Sequence, residues 1–358
     1  MKTSIIPIFI PHIGCPYRCV FCNQWKITGQ HRVPTATFVK ETIQQYMQAA
    51  TLSRHWEVAF YGGSFTAVPT ALQESLLEPA TQALRQGKIH GIRCSTRPDA
   101  VGKEVIERLL RFGVNTVELG VQSMDDTVLQ RAKRGHTATD VVQATRRLHK
   151  YGLLVGHQLM PGLPGEDERS LQQTAAAVCA LQPDAARIYP VAVLAETELA
   201  AQYRQGLYRP LTTAEGIRRG AYLKQRLLEH GIPVIRTGLQ ATKVLDDGEQ
   251  VLAGAYTPAM GELIDTYRYR RQLFSLLDRL NLCTSVHIYY APSETSRVRG
   301  YRNITYKYCL WRYRVPFIWQ AGKDLPNKRI FVHYGQMVYT IDIDTGGVLI
   351  TKKEGSYE

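Results

Sequence analysis

Three cysteines near the N-terminus have the spacing of ligands in a metal or cluster site. Cys15, Cys19 and Cys22 follow the pattern C-x3-C-x2-C, with Phe21 just before the third. Three thiolates on one short loop can each hold one iron of a cubane iron–sulfur cluster and leave the fourth iron open. An open iron can bind and reduce a small molecule, as radical chemistry with S-adenosylmethionine (SAM) requires. We therefore expect a [4Fe–4S] cluster at this loop.

A zinc site is the competing interpretation of the same cysteines. A C-x2-C pair also occurs in zinc sites and in redox pairs. Zinc prefers four ligands, and His12 is available as the fourth. The cysteines alone favour the cluster without excluding zinc, so the rest of the chain has to distinguish the two.

The composition is that of a large globular chain. Its 358 residues are 44% hydrophobic and 21% charged, which suits one large domain or a barrel with a smaller appendage. The apolar run at residues 5–10 is too short for a membrane span or a signal peptide. Seven cysteines, three of them clustered, favour a reducing compartment, so we expect a cytoplasmic protein. The other four are interpreted as buried thiols: Cys94, Cys179, Cys283 and Cys309.

A basic and aromatic segment lies near the C-terminus. The net charge is +13, and residues 297–329 contribute nine Lys or Arg against one acid, with seven aromatic residues between them. Cations attract phosphate and aromatic faces stack on unpaired bases, so the segment predicts contact with tRNA or another RNA. The alternative is an amphipathic strand at 304–308 that packs its aromatics inward and leaves its cations in solvent.

The elements that must position these residues alternate between strand and helix up to about residue 190. The sequence predicts short apolar strands at 5–10, 58–61, 91–96, 116–121, 153–159 and 185–189, and helices at 37–49, 70–85, 103–112, 139–151 and 170–181. Six such units predict an α/β fold with parallel strands and helices outside. Because chemistry collects at the carboxyl ends of strands in parallel barrels, we expect the polar residues that follow the strands to meet there.

Beyond residue 195 the pattern changes. Long helices are predicted at 213–230 and 262–280, and strands at 285–290, 304–308, 329–334 and 337–343. These elements predict a C-terminal α+β extension. We therefore expect a barrel at 1–195, a helical continuation at 196–283, and a basic, aromatic-rich β extension at 284–358.

The residues around the cysteines resemble the cluster loop of radical SAM enzymes. Residues 9–24 read FIPHIGCPYRCVFCNQ. Other segments resemble the Elongator protein 3-like branch of that superfamily: YGGSFT at 61–66, STRPD at 95–99, ELGVQS at 118–123, KRGHT at 133–137, MPGLPG at 160–165 and RIYP at 187–190. The resemblance covers roughly residues 5–260.

This resemblance implies a partial (β/α)6 radical SAM barrel that carries the predicted extension. It implies that Cys15, Cys19 and Cys22 bind a [4Fe–4S] cluster and that SAM ligates the open iron. One electron, from a donor such as ferredoxin or flavodoxin, would then cleave SAM to a 5′-deoxyadenosyl radical, which abstracts hydrogen from the substrate.

Ten residues at the strand ends are predicted to contact SAM. Bare glycine backbone allows close approach, and Arg97 offers a fork for the SAM carboxylate. Glu118 needs SAM or a cationic side chain as a partner, because a buried unpaired carboxylate is costly. The alternatives are a plain turn for the glycines, an ion pair for Arg97 and a structural polar network for the rest. The ten are Gly62, Gly63, Ser64, Ser95, Thr96, Arg97, Glu118, Gln122, Gln158 and Arg187.

Two histidines have less specific interpretations. His136 is expected to cap the helical region after the fourth strand rather than to act as a base. His12 adjoins the cysteines and is expected either to tune the cluster by a hydrogen bond to sulfur or only to pack there.

The expected function is radical SAM chemistry on RNA, as a tRNA modification. Elongator protein 3 also carries an acetyltransferase domain, and we expect only its barrel part here, since no phosphate-cradling glycine-rich loop follows the barrel. One alternative is a radical SAM enzyme that acts on a small metabolite or tetrapyrrole. Another is a non-catalytic iron–sulfur or RNA-binding scaffold.

Overall fold

The computed structural model describes residues 3–10, 12–16, 18–24, 32–49, 55–240, 243–246 and 250–352. Contacts divide the chain into two compact units. Unit 1 contains residues 1–216 and 232–258, and unit 2 contains residues 217–231 and 259–358. Each unit has its own sheet and its own covering helices.

The strands and helices have the following bounds. The strands are β1 (Thr3–Ile10), β2 (His55–Gly62), β3 (Gly91–Thr96), β4 (Val114–Gln122), β5 (Leu154–Leu159), β6 (Ala185–Ile188), β7 (Ala192–Leu194), β8 (Val234–Thr237), β9 (Val251–Gly254), β10 (Val286–Tyr290), β11 (Phe317–Ala321), β12 (Arg329–Tyr334), β13 (Met337–Asp342) and β14 (Val348–Lys352). The α-helices are Ala36–Gln48, Thr70–Arg85, Lys103–Arg111, Asp126–Arg131, Ala138–Lys150, Glu168–Leu181, Glu198–Arg204, Thr213–Glu229, Lys243–Asp246, Met260–Leu277, Thr295–Arg299 and Ile304–Tyr313. Within the described ranges, no helix is both long and apolar enough to cross a membrane.

Unit 1 is built on a seven-stranded sheet in the order β1-β2-β3-β4-β5-β6-β8. All neighbouring strands pair in parallel. The central strands are buried on both faces, as the five consecutive buried residues of β2 illustrate. Strands covered on both faces are typical of α/β folds in which the helices lie outside the sheet. The predicted α/β class and partial parallel barrel are confirmed.

Local signals place the helices of unit 1 close to their predicted bounds. Thr35 precedes the first helix and accepts a hydrogen bond from the N–H of Phe38. Thr137 and Asp140 form a capping box at the start of the helix Ala138–Lys150. Such caps satisfy N–H groups that have no partner inside the helix. The predicted helix 70–85 and strand 91–96 agree with the structure residue for residue.

A seventh parallel strand distinguishes the observed sheet from the six strands predicted. After the helix Thr213–Glu229 the chain returns to the sheet, and β8 pairs with β6. A separate antiparallel pair, β7 and β9, follows the sixth strand. Because residues 232–258 belong to unit 1, the segment 196–283 is shared between the two units and is not one helical continuation.

Unit 2 contains a five-stranded sheet in the order β11-β10-β12-β13-β14. β10 and β11 are parallel, and the other pairs are antiparallel. The predicted strand at 304–308 is wrong, because these residues belong to the helix Ile304–Tyr313. Thr305 and Cys309 are completely buried, and a spacing of four residues puts them on one side of a helix. The predicted α+β character of the extension holds, with β11 and β14 as strands that were not predicted.

Three of the four scattered cysteines are buried, as predicted. They are Cys94, Cys179 and Cys309. Cys283 is exposed instead, and its sulfur lies 3.3 Å from the hydroxyl oxygen of Tyr334. The prediction of a buried thiol at this position is therefore wrong.

Candidate active site

The three clustered cysteines lie on the loop that follows the carboxyl end of β1. Val20, between them, is completely buried. Its N–H donates to the Ala132 carbonyl at 3.2 Å, and its carbonyl accepts from the Leu199 N–H at 2.8 Å. The N–H of Cys22 donates to the Cys19 carbonyl at 3.0 Å, which closes a tight turn. The loop is thus anchored through both backbone groups of Val20. The three cysteine thiols are partly buried and form no disulfides.

The three thiols lie close enough for their charges to interact. Burial, and then the neighbouring charges of Cys19 and Cys15, raise the pKa of Cys22 to about 12. The pKa of Cys15 is also raised, first by burial and then by Cys19. Coordination to a metal deprotonates such thiols, since the metal supplies the missing positive charge. The donor set therefore fits a cationic iron cluster, which would stabilise three thiolates that destabilise one another.

Arg134 is a contact of the cysteine loop that sequence reasoning missed. Its side chain is buried. Nη1 donates to the Cys19 sulfur at 3.2 Å, and Nη2 donates to the Gly120 carbonyl at 2.7 Å. A hydrogen bond from a charged donor stabilises negative charge on sulfur. The available signal was an arginine within the KRGHT segment, but nothing in the sequence linked that residue to Cys19.

The geometry around His12 disfavours the zinc interpretation. The ring Nε2 accepts a hydrogen bond from the N–H of Gln24 at 2.9 Å, so this nitrogen serves the loop itself. Burial, and then the charge of Arg18, lower the pKa of His12. In the part of the chain that the structure describes, no three His, Cys, Asp or Glu side chains could share one metal ion. A cubane cluster instead distributes its thiolates over separate irons.

Glycines allow the cysteine loop to lie directly against the end of β2. Gly62 has a φ of +113°, and a Cβ there would lie 2.7 Å from the carbonyl oxygen of Ile10. A Cβ on Gly63 would overlap the carbonyl oxygen of Ile13. A side chain at either position would separate the strand end from the loop. The predicted importance of these glycines thus has a structural basis in this close approach.

The predicted polar residues that follow β2 and β3 meet at one point. The Oγ of Ser64 lies 2.8 Å from the Oγ1 of Thr96, and the N–H of Arg97 donates to Ser64 at 3.3 Å. The Ser95 hydroxyl donates at 3.5 Å to a carbonyl oxygen of β2. The buried guanidinium of Arg97 donates twice to Asp99, at 2.9 and 2.8 Å. Arg97 is therefore already in an ion pair with Asp99. A ligand carboxylate would have to share the Arg97 guanidinium with Asp99.

Glu118 is the centre of a buried ion network between the strands. Arg187 donates to its two carboxylate oxygens at 2.5 and 3.0 Å, Arg93 donates at 3.1 Å, and the Tyr61 hydroxyl donates at 3.1 Å. Arg93 also donates to Glu57 at 2.7 Å. Burial tends to raise the pKa of Glu118, but the two arginines outweigh burial and lower it. The carboxylate is therefore charged and satisfied by cationic side chains.

Tyr61, Arg93 and Glu57 were not singled out from the sequence. They lie on the same strands as predicted residues, and Arg187 also donates to the Tyr61 hydroxyl at 2.7 Å. A charged residue inside an otherwise apolar short strand was the available signal for Glu57 and Arg93. Their pairing depended on the order of strands in the sheet, which single-strand patterns do not reveal.

Gln122 and Gln158 lie side by side at the ends of β4 and β5. The Nε2 of Gln158 donates to the Oε1 of Gln122 at 3.4 Å. Gln122 is buried and has a φ of +68°, which is unusual for a residue other than glycine. Gln158 is in register with Arg187 on β6, next to the ion network. The structure thus brings both glutamines to the same strand ends as the other predicted residues.

His136 does not cap a helix, so that prediction is wrong. The helix Ala138–Lys150 is capped by Thr137. The Nε2 of His136 lies 3.3 Å from the Val121 carbonyl oxygen, to which it donates. Burial, and then the charges of Arg134 and Arg97, lower the pKa of His136 to about 4. The ring is therefore neutral near pH 7.

An open pocket of about 680 Å³ borders the cysteine loop. Arg18 of the loop and Lys133 lie in its wall, and Lys133 pairs with Glu198 at 2.7 Å. The remaining lining residues are Asp126, Gln130, Gly135, His136 and Thr137. The loop therefore has accessible space beside it.

The family models agree with this geometry. The model of the radical SAM superfamily matches residues 9–178, and that of the Radical_SAM C-terminal domain matches residues 183–270. This chain belongs to the radical SAM superfamily. Radical SAM enzymes use a [4Fe–4S] cluster and SAM, and the three thiols at the end of β1 are suited to hold such a cluster.

The chain is similar to tRNA uridine(34) acetyltransferases and to the Elongator complex protein 3 of Mus musculus. The chain is 29% identical over 239 residues to a tRNA uridine(34) acetyltransferase of Dehalococcoides mccartyi, covering 57% of this chain and 52% of that protein. It is 31% identical over 221 residues to an uncharacterised protein of Methanocaldococcus jannaschii, and the match covers 59% of this chain and 67% of that protein. This radical SAM enzyme thus spans about half the length of the first of these relatives.

A solved structure shows the same fold. It is the archaeal Elp3 of Methanocaldococcus infernus with an N-terminal deletion, with a TM-score of 0.60 at 19% identity. The match covers 97% of this radical SAM chain and 76% of that chain.

Proposed function

We propose that this radical SAM enzyme cleaves SAM reductively at a [4Fe–4S] cluster held by Cys15, Cys19 and Cys22, and that its radical modifies tRNA. The observation that carries the proposal of SAM cleavage is the set of three interacting, partly buried thiols. Arg134 donates a hydrogen bond to one of them, Cys19. When bound, the cluster and SAM supply the 5′-deoxyadenosyl radical.

The proposed SAM contacts are the ten strand-end residues named from the sequence. Gly62 and Gly63 would offer their backbone to the SAM amino group, since neither has a side chain of its own in the way. The Gly62 carbonyl also accepts a hydrogen bond from the Gln24 amide at 2.8 Å. Gln122 and Gln158 would contact the ligand with their amides. Glu118 and Arg187 also pair with each other and hold the Tyr61 hydroxyl, so we propose that they shape the site as well as contact SAM.

The proposal of RNA as substrate is supported by the relatives and by the basic segment. The tRNA uridine(34) acetyltransferases match this chain over about half their length. Residues 297–329 carry a large excess of cations.

The proposed reductant is a small acidic electron carrier such as ferredoxin or flavodoxin. Arg18 of the cysteine loop lies in the wall of the open pocket and would attract an acidic partner, whereas Lys133 in the same wall is already paired with Glu198. We also propose a cytoplasmic location, since unpaired clustered thiols suit a reducing compartment.

Anaerobic reconstitution with iron, sulfide, SAM and a strong reductant tests this function. We expect 5′-deoxyadenosine, its yield raised by total tRNA, and one nucleoside of changed mass. Cys19→Ala should abolish both products, because a cluster that loses one of three thiolates is not held. Stimulation by a small metabolite or a tetrapyrrole and not by tRNA would refute the RNA half. Salt-sensitive tRNA binding without any 5′-deoxyadenosine would identify a non-catalytic scaffold.

A further inference from the structure

The helix Ile304–Tyr313 has an exposed face that unit 2 does not cover. Its other side carries the completely buried Thr305 and Cys309, and Cys309 belongs to the core of the unit. Outward-facing side chains recur every three or four residues along the helix, and Tyr301 is exposed in the turn before it, where Arg302 and Asn303 have positive φ. This aromatic face consists of Tyr301, Ile304, Tyr308 and Trp311, which are 69%, 41%, 46% and 74% exposed.

Cations lie on the rings of the aromatic face. The guanidinium carbon of Arg302 is 5.1 Å from the centre of the Tyr301 ring, and that of Arg270 is 5.7 Å from the centre of the Tyr308 ring. Tyr308 and Trp311 meet edge to face, with their ring centres 6.0 Å apart. Large exposed aromatic surfaces are rare on proteins that have no partner for them.

The free charge of the basic segment is concentrated around this helix. Five of its nine cations have partners inside unit 2: Arg297, Arg299, Arg312, Lys328 and Arg329. Among the described residues, Arg302, Lys307, Arg314 and Lys323 have no acidic side chain within ion-pair distance. Three of these four adjoin the aromatic face in sequence. The surface thus combines stacking platforms with unneutralised cations.

We propose that the aromatic face binds unpaired nucleotides of an RNA, with bases stacked on Trp311, Tyr308 and Tyr301. Arg302, Lys307 and Arg314 would then contact the phosphates between them. Rings flanked by cations are the general means of binding single-stranded nucleic acid. A second copy of this chain is a poorer occupant, because it would bring the same cations face to face. The choice of RNA over other single strands rests on the proposed function.

Binding of a short fluorescent oligouridine, followed by anisotropy, tests the stacking. Trp311→Ala and Tyr308→Ala should each weaken binding by about 5- to 150-fold, since that is the contribution of stacking one base on one ring. Trp311→Phe keeps a ring and should bind like the wild type. A fully paired RNA duplex of equal length offers no free base, so Trp311→Ala should leave its binding nearly unchanged.

Salt dependence tests the phosphate contacts. The combined variant Lys307→Gln, Arg314→Gln should lower the slope of log affinity against log salt by about 1.4 on the single strand, or about 0.7 for each lost contact. Arg312→Gln is the matched control on the same helix, because Asp278 already pairs with this guanidinium at 3.1 Å. It removes the same kind of charge and should leave the slope nearly unchanged.

The outcomes separate this inference from the proposed function. If the wild type binds and modifies tRNA while Trp311→Ala binds oligouridine equally well, the aromatic face is not the nucleotide site and the function stands. If Arg312→Gln lowers the slope as much per removed charge as the combined Lys307→Gln, Arg314→Gln variant does, a diffuse positive field replaces the local contacts and the inference fails. A concentration-dependent dimer in light scattering that Trp311→Ala abolishes would assign the face to a second copy and overturn the inference.

Discussion

Replacing Glu118 by Gln tests the buried ion network at the centre of the sheet. The change keeps the shape of the side chain but removes the charge that Arg187 and Arg93 share. Glu118 is only 5% exposed, so water cannot replace the lost carboxylate. Arg93 keeps Glu57 as a partner, whereas among the described residues Arg187 keeps hydroxyl groups of Tyr61 and Tyr189 and no other carboxylate. The variant should therefore leave one guanidinium without an ionic partner.

Breaking a buried ion pair by removing one partner costs about 3–5 kcal/mol. Because Arg93 keeps Glu57, we expect the lower end of this range, about 3 kcal/mol of unfolding free energy. The pKa of Glu118 is lowered in the folded state, so its stabilising effect is present above the ordinary carboxylate range. It is lost as the pH falls through the lowered pKa. The difference between wild type and Glu118→Gln should therefore be constant near pH 7 and shrink in strong acid.

Urea unfolding followed by circular dichroism measures this difference. Glu107→Gln is the matched control, because Glu107 makes an exposed pair with Lys103 at 3.8 Å. Such a surface pair contributes about 0.5 kcal/mol or less. A cost for Glu118→Gln no larger than that of Glu107→Gln would refute the network as a source of stability. A difference in unfolding free energy between wild type and Glu118→Gln that grows as the pH falls would also refute it.

Three further predictions concern the candidate active site. Arg134→Gln should lower the reduction potential of the cluster by roughly 60–130 mV, since a charged hydrogen bond contributes about 1.5–3 kcal/mol. An EPR redox titration measures this shift. An equal shift in the surface control Lys133→Gln would contradict a specific role of Arg134. Gly63→Ala should prevent cluster loading, seen as lost absorbance after reconstitution, because its Cβ overlaps the cysteine loop; full loading would contradict this contact. His136 should remain neutral above about pH 5 by NMR titration, and a midpoint near 6.5 would show that its ring is not buried as described.

Much of the fold could be predicted because its signals are local. Short apolar strands, glycines that end helices and capping residues are such signals, and the helix 70–85 and the strand 91–96 were predicted correctly. The segment 304–308 failed because its polar and aromatic residues alternate as in a strand. The strand alternative would turn the aromatics toward the core, whereas Tyr308 and Trp311 face outward and Thr305 and Cys309 face inward. Which residues are buried is decided by the neighbours of the helix and not by its own pattern.

The sequence by itself determined which family this protein belongs to and which residues are candidates for its site. Ligand spacing and glycines that must lack a side chain are properties of short segments, so Cys15, Cys19, Cys22 and the strand-end residues were visible in it. Only the tertiary structure decided the partners of those residues. Arg134 reaches Cys19 across 115 residues, and Arg187 reaches Glu118 across 69. Such contacts depend on the order of the strands in the sheet, because a buried charge is stabilised by whichever opposite charge the fold brings within a few ångströms.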